Sequence, residues 1–173
     1  MTGQPARTRE IDGGAMSPFV QSLPEPEHPD LFLLSRAAAV DPGKIHRAAV
    51  VTTAGAAFLS REPDDYRLVR EIVDFLVAHR IGVVACGDPQ GQFLFPVSLL
   101  RKAAWEAQIL FVLGSEYCTS RRCPRCRTHH QSEKQIYRCP SCGLALDRNI
   151  VGALNIFLHV FGRKSRLPEL EGA

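Results

Sequence analysis

Apolar residues along the chain fall into short strand-like runs and three helix-like segments. "RAAAVDPGKIHRAAVVTT" (36–53) has two apolar runs flanking Asp41-Pro42-Gly43, a sequence with good turn chemistry, and so predicts two strands around a turn. A third strand is expected near "AAFLS" (56–60). "EPDDYRLVREIVDFLVAHR" (62–80) carries the strongest helical period: Leu68, Val69, Ile72, Val73, Leu76 and Val77 recur at 3–4 spacing after the start signals Pro63 and Asp64. "IGVVACGD" (81–88) is almost wholly apolar, as a strand at the centre of a sheet would be. "PVSLLRKAAWEA" (96–107) reads as a second helix and "QILFVLGS" (108–115) as another buried strand. "NIVGALNIFLHVF" (149–161) is the last helix, with Gly162 placed to end it.

Strands separated by helices imply a layered α/β sheet. No internal repeat is present. Residues 1–30 hold five prolines (5, 18, 24, 26 and 29) and no hydrophobic period, so they read as a disordered tail. Residues 164–173 read as a second flexible tail. No apolar run approaches the roughly twenty residues of a membrane span, and the first residues lack the apolar core of a signal peptide. The expectation is a soluble intracellular protein, cytoplasmic or nuclear and not secreted, whose cysteines stay reduced and available as ligands.

The formal charge of +3 is modest, but its placement is not. Arg121, Arg122, Arg125, Arg127, Lys134, Arg138 and Arg148 fall in one stretch against only Glu133 and Asp147, with His129 and His130 among them. Such a cluster is suited to facing phosphates; a solvated basic loop is the plainer reading. The same stretch contains Cys123-x2-Cys126 and Cys139-x2-Cys142. Two such pairs offer four thiolates to one ion, a donor set that favours tetrahedral Zn²⁺ with no open position. This zinc would be structural, holding a ribbon too small to have a core of its own. An iron–sulfur centre or redox dithiols are the other uses of such thiols. Cys86, at a buried strand end, reads as a core thiol.

"SEYCTSRRCPRC…YRCPSCGLALDRNIVGALNI" resembles the C-terminal part of TnpB and Fanzor proteins, transposon-encoded relatives of compact type V CRISPR nucleases. The matching positions are Thr119-Ser120, the four cysteines, Gly143, Asp147-Arg148, Ala153, Asn155 and Ile156. The resemblance extends weakly back to residue 36. It implies an RNase H-like (RuvC) mixed sheet over 31–116 and 147–163, with a zinc ribbon that binds target nucleic acid inserted at 117–146. It further implies DNA and a guide-type RNA as partners, and DNA cleavage with Mg²⁺ or Mn²⁺. Two-metal cleavage needs carboxylates that hold two ions about 4 Å apart. Asp41 matches the first carboxylate. Glu116 falls where Fanzor-like relatives carry a relocated glutamate, and Asp88 is the alternative.

The third position departs from the family. Where the pattern has the second aspartate of D-R-D, this chain has Asn149, and Val151 replaces the following asparagine. Asparagine keeps a neutral oxygen but loses the charge that holds a hard divalent ion. Asp147 is the nearest substitute. The N-terminal helical and barrel regions of the family are not matched, so the sequence reads as a truncated or domesticated copy. Three functions are therefore expected in order: a zinc-containing nucleic-acid-binding protein with impaired catalysis, an active metal-dependent endonuclease, and a zinc-ribbon adaptor for protein partners.

Overall fold

A computed structural model describes residues 36–89, 94–115, 121–130 and 134–162. Both expected tails lie outside these residues, as do Glu116, Cys118, Thr119 and Ser120. The elements in order are β1 (Ala37–Pro42), β2 (Ala48–Thr52), β3 (Ala57–Ser60), helix α1 (Asp65–Ala78), β4 (Val83–Asp88), α2 (Val97–Glu106), β5 (Leu110–Ser115), β6 (Ile136–Arg138), β7 (Ala145–Asp147) and α3 (Arg148–Phe161).

The main sheet has five strands in the order β3-β2-β1-β4-β5. β1, β2 and β3 pair antiparallel, whereas β4 and β5 run parallel to β1. Side chains alternate across a strand, and here the alternation sorts the core into two layers. Ala38, Val40, Val50, Val84 and Cys86 face α1 and α2 with Leu68, Ile72, Leu76 and Leu100. Ala37, Ala39, Ala49, Val51, Val83 and Ala85 face α3 with Ala153, Leu154, Ile156 and Phe157. Small residues at 37, 39, 49 and 85 let α3 approach the sheet closely. α3 is accordingly buried over most of its length, from Ile150 to Leu158.

Two expectations need correction. The first turn does not begin at Asp41: β1 continues through Asp41 and Pro42, which pair with Ala49 and Ala48. A residue before proline is pushed towards extended backbone, so Asp41 stays in the strand and the chain reverses over residues 43–47. β5 is not a buried strand but an edge strand, with Leu110 50% and Leu113 43% exposed. An apolar run does not by itself distinguish a central strand from an edge. The helix boundaries agree closely with the periodicity. Asp64 caps α1 by accepting from the Arg67 amide at 2.9 Å, and Gly162 ends α3 at φ 85°. No helix among the described residues is long and apolar enough to cross a membrane.

Candidate functional site

The four cysteines converge. Cys123 and Cys126 lie in the loop after β5, while Cys139 and Cys142 lie in the turn of the β6–β7 hairpin. Their sulfurs all fall within 4.8 Å of one another. The Cys123–Cys142 and Cys126–Cys139 sulfur pairs are 3.6 and 3.5 Å apart. A tetrahedral zinc with bonds of about 2.3 Å has edges of about 3.8 Å, so the set fits a four-thiolate ion, and the separations are far too long for disulfides.

The two knuckles share one backbone frame. Cys123 N–H donates to Thr128 O (2.9 Å) and Arg127 N–H to Cys123 O (2.9 Å). Cys139 N–H likewise donates to Leu144 O (2.8 Å) and Gly143 N–H to Cys139 O (3.0 Å). These turns aim amides at sulfur, as in Cys126 N–H to Cys123 Sγ at 3.5 Å. Burial pushes the Cys123 thiol up to about 12, while hydrogen bonds from Thr128 bring Cys126 down to about 6. A metal that displaces all four protons would couple its binding to pH. Behind the sulfurs, Tyr137, Leu144 and Val151 form a small apolar cluster with Cys123 and Cys139. Val151, fully buried on α3, thus closes the ribbon's core where the family pattern carries a polar residue.

β7 runs directly into α3, and this junction brings the remaining candidates together. Asp147 caps the helix: its Oδ1 accepts from the Asn149 amide N–H (2.8 Å) and its Oδ2 from Gln135 Nε2 (2.7 Å). Burial alone would raise its carboxyl, but the donors from Gln135 and Asn149 and the neighbouring His46 outweigh that and hold it below the ordinary value. Asn149 Nδ2 donates to Asp147 Oδ1 (2.9 Å) and lies 3.0 Å from His46 Nδ1. Asn149 Oδ1 faces Gly43, so its side chain is spread against the β1–β2 turn.

Asp41 lies on the α3 face of the sheet, by alternation from Ala37 and Ala39. Its carboxylate rests on Gly152, where an added Cβ would overlap both Oδ2 and Cγ. Gly152 is one helical turn after Asn149, so Asp41 and Asn149 meet the same face of α3. Asp88 ends β4 in register with Ser115, and continues the alternation of Val84 and Cys86 onto the opposite face, towards α1 and α2. Glu116 lies outside the described residues.

The basic residues separate into two groups. Arg121, Arg125, Lys134 and Arg138 are exposed. Arg122 and Arg127 are half-buried. The Arg122 guanidinium donates to His129 Nε2 at 3.1 and 2.8 Å, and Arg127 NH1 donates to Asn155 Oδ1 at 3.4 Å. Sequence reasoning assigned no role to His46, Gln135, Gly152 or Asn155. The one signal for Gly152 was a glycine inside a helical pattern, which marks either a weak helix or a close approach. His46 left no signal.

Residues 97–156 match the family described as Cas12f1-like, TNB domain. The match runs from α2 through β5 and both cysteine pairs into α3. Among solved structures the chain is similar to Cas12f1 in the cryo-EM structure of the Cas12f1–sgRNA–target DNA complex. That similarity has TM-score 0.58 and 12% identity, over 69% of this chain and 48% of that one. The chain thus corresponds to about half the length of that relative. It is also similar to T. thermophilus RuvC solved with a Holliday junction substrate, at TM-score 0.42 and 16% identity, over 72% and 92% of the two chains. No curated protein sequence matches the chain. The described residues therefore form a mixed five-stranded sheet, in a fold shared with Cas12f1, with a four-cysteine cluster that fits a zinc ribbon, and residues 97–156 are Cas12f1-like, in keeping with the resemblance carried by the D-R-N knot and the cysteine pairs.

Proposed function

We propose that this protein binds nucleic acid, DNA foremost, through a zinc ribbon carried on a RuvC-type frame whose two-metal catalysis is impaired. The observation that carries this reading is the engagement of Asn149. The side chain at the position of the family's last aspartate is a neutral amide that donates to Asp147 and His46. Asp147, the nearest substitute, uses both carboxylate oxygens in capping α3 and holding Gln135. Asn149 brings no negative charge to a divalent ion, and Asp147, although ionised, is already committed through both oxygens to protein donors.

In this reading Cys123, Cys126, Cys139 and Cys142 hold one structural Zn²⁺. Residues 117–146 form the ribbon, and 31–116 with 147–163 form the RuvC-like part. Arg121, Arg125, Lys134 and Arg138, exposed around the ribbon, contact phosphates. Arg122 and Arg127 serve the ribbon's own structure. A guide-type RNA is a second candidate partner, since the Cas12f1 relative was solved with an sgRNA and target DNA. Such partners place the protein inside the cell, in cytoplasm or nucleus.

One observation favours the active-endonuclease reading. Asp41 keeps its carboxylate against α3, where a first metal ligand belongs, and Glu116 is the second carboxylate that the family resemblance suggests. With both present, Mg²⁺ or Mn²⁺ would have two carboxylates in place of three.

Binding of labelled single-stranded DNA at increasing salt tests the proposal. Neutralising phosphates gives a log–log slope of about −0.7 per contact on single strands. Replacing Arg121, Arg125, Lys134 and Arg138 together by alanine should flatten that slope by about 2–3 and weaken binding throughout. Binding that is indifferent to salt and to these residues would favour the protein-adaptor reading.

A further inference from the structure

The two knuckles make the same backbone hydrogen bonds, and one equivalent position takes left-handed backbone in both. Gly143 occupies φ +72° in the second, and Arg127 occupies φ +66° in the first. Nothing lies within 4 Å of a Cβ built on Gly143, so backbone conformation and not space explains the glycine there. Left-handed backbone disfavours any residue with a Cβ, and arginine gains nothing from it locally. What Arg127 does have is reach. Its guanidinium arrives at Asn155 Oδ1 on α3. Asn155 is itself 5% exposed and turns its other end to the same knuckle, with Nδ2 donating to Arg122 O at 2.6 Å.

One buried amide thus grips the first knuckle at two points. The second knuckle needs no such grip, because β7 continues into α3 and Arg148 N–H donates back to Gln135 O at 2.8 Å. We infer that Asn155 and Arg127 form a clamp that orients the first knuckle on α3, with Arg127 held in left-handed backbone so that its guanidinium reaches Asn155. Both are positioning residues and touch no ligand. The consequence rests on the nucleic-acid-binding reading: Arg121, beside the clamped segment, and Arg125, within it, are useful for binding only while the clamp holds. Lys134 and Arg138, on and beside β6, are placed independently of it.

A double-mutant cycle on the full zinc-loaded chain tests this with single-stranded DNA as the probe. In the parent, Arg121→Ala with Arg125→Ala should weaken binding about tenfold, two phosphate contacts being lost. In an Asn155→Ala background the same pair should change affinity less than about twofold. Lys134→Ala with Arg138→Ala should cost the same factor in both backgrounds. Zinc should remain at one per chain throughout. Arg127→Gly should lose affinity as Asn155→Ala does, yet release zinc to a chelator more slowly than the parent, because the backbone strain is relieved. It carries the same cycle should Asn155→Ala not fold.

Equal factors for the Arg121/Arg125 pair in parent and clamp variants would overturn the inference. So would loss of zinc in both clamp variants, which would make these residues part of the metal site's fold. A parent that binds no DNA would instead contradict the functional reading. The clamp would then be judged by amide hydrogen exchange over residues 122–128: faster exchange in the variants supports it and unchanged exchange overturns it.

Discussion

The carboxylate of Asp41 rests directly on the backbone of Gly152, one turn along α3 from Asn149. This contact joins the end of the first strand to the last helix and fixes where a metal-binding carboxylate would sit. It also explains a glycine in the interior of a helix, where it costs about 1 kcal/mol relative to alanine.

Gly152→Ala should therefore destabilise, against the helix-propensity trend. The added Cβ meets Asp41 Oδ2 and Cγ, and a forced shift of this kind costs about 1–3 kcal/mol. Urea unfolding of the zinc-loaded protein measures it. A gain of stability would mean that Asp41 moves aside freely.

Asn149→Asp exchanges a donor for an acceptor 2.9 Å from Asp147 Oδ1 and 3.0 Å from His46 Nδ1. In zinc-loaded protein free of other divalent ions, a loss of about 1–3 kcal/mol is expected. Mn²⁺ should return much of it, since an ion bound only by the folded state stabilises in proportion to its occupancy. The parent should respond to Mn²⁺ far less. A variant as stable as the parent and indifferent to Mn²⁺ would show that Asn149 does not mark a lost ligand position.

Asp147 should contribute through its cap. Asp147→Ala is expected to cost about 1 kcal/mol at neutral pH. Its folded carboxyl lies below the ordinary value, so its stabilisation is present above the unfolded value of about 3.9 and is lost as pH falls through the lower folded one. The stability difference between parent and variant should accordingly shrink below about pH 4. A difference that stays constant to pH 3 would assign the effect to packing.

Zinc removal should divide the protein. The ribbon's apolar cluster is small, whereas the sheet's two layers rest on α1, α2 and α3 and involve no metal. With a chelator, amide protection should disappear over residues 121–147 and persist in β1, β2 and β4. Loss of both together would show that the ribbon holds up the sheet.

Much of this arrangement was legible in the sequence because the signals were local. Period 3.6 located α1, with Asp64 at its cap, and two cysteine pairs located a metal-ligating cluster. The family pattern singled out Asn149. What stayed hidden depends on distant pairs. An apolar run at 108–115 did not say whether β5 lay at the centre or edge of the sheet, and only the neighbour order settles that. Asp41 resembled a turn residue because Pro42-Gly43 follows it, although the ladder to Ala49 keeps it in the strand. His46 reaches Asn149 across 103 residues, a separation no window of sequence samples. Likewise Arg127 is distinguished from its exposed neighbours only through its partner Asn155 on α3.

Incubating the full chain with labelled single-stranded DNA, in Mg²⁺ and separately in Mn²⁺, tests the central claim most directly. Zinc-dependent, salt-sensitive binding with the strand left intact is the expected result. Metal-dependent cutting by the parent that disappears in Asp41→Ala would contradict it, and would make this frame a working nuclease despite Asn149.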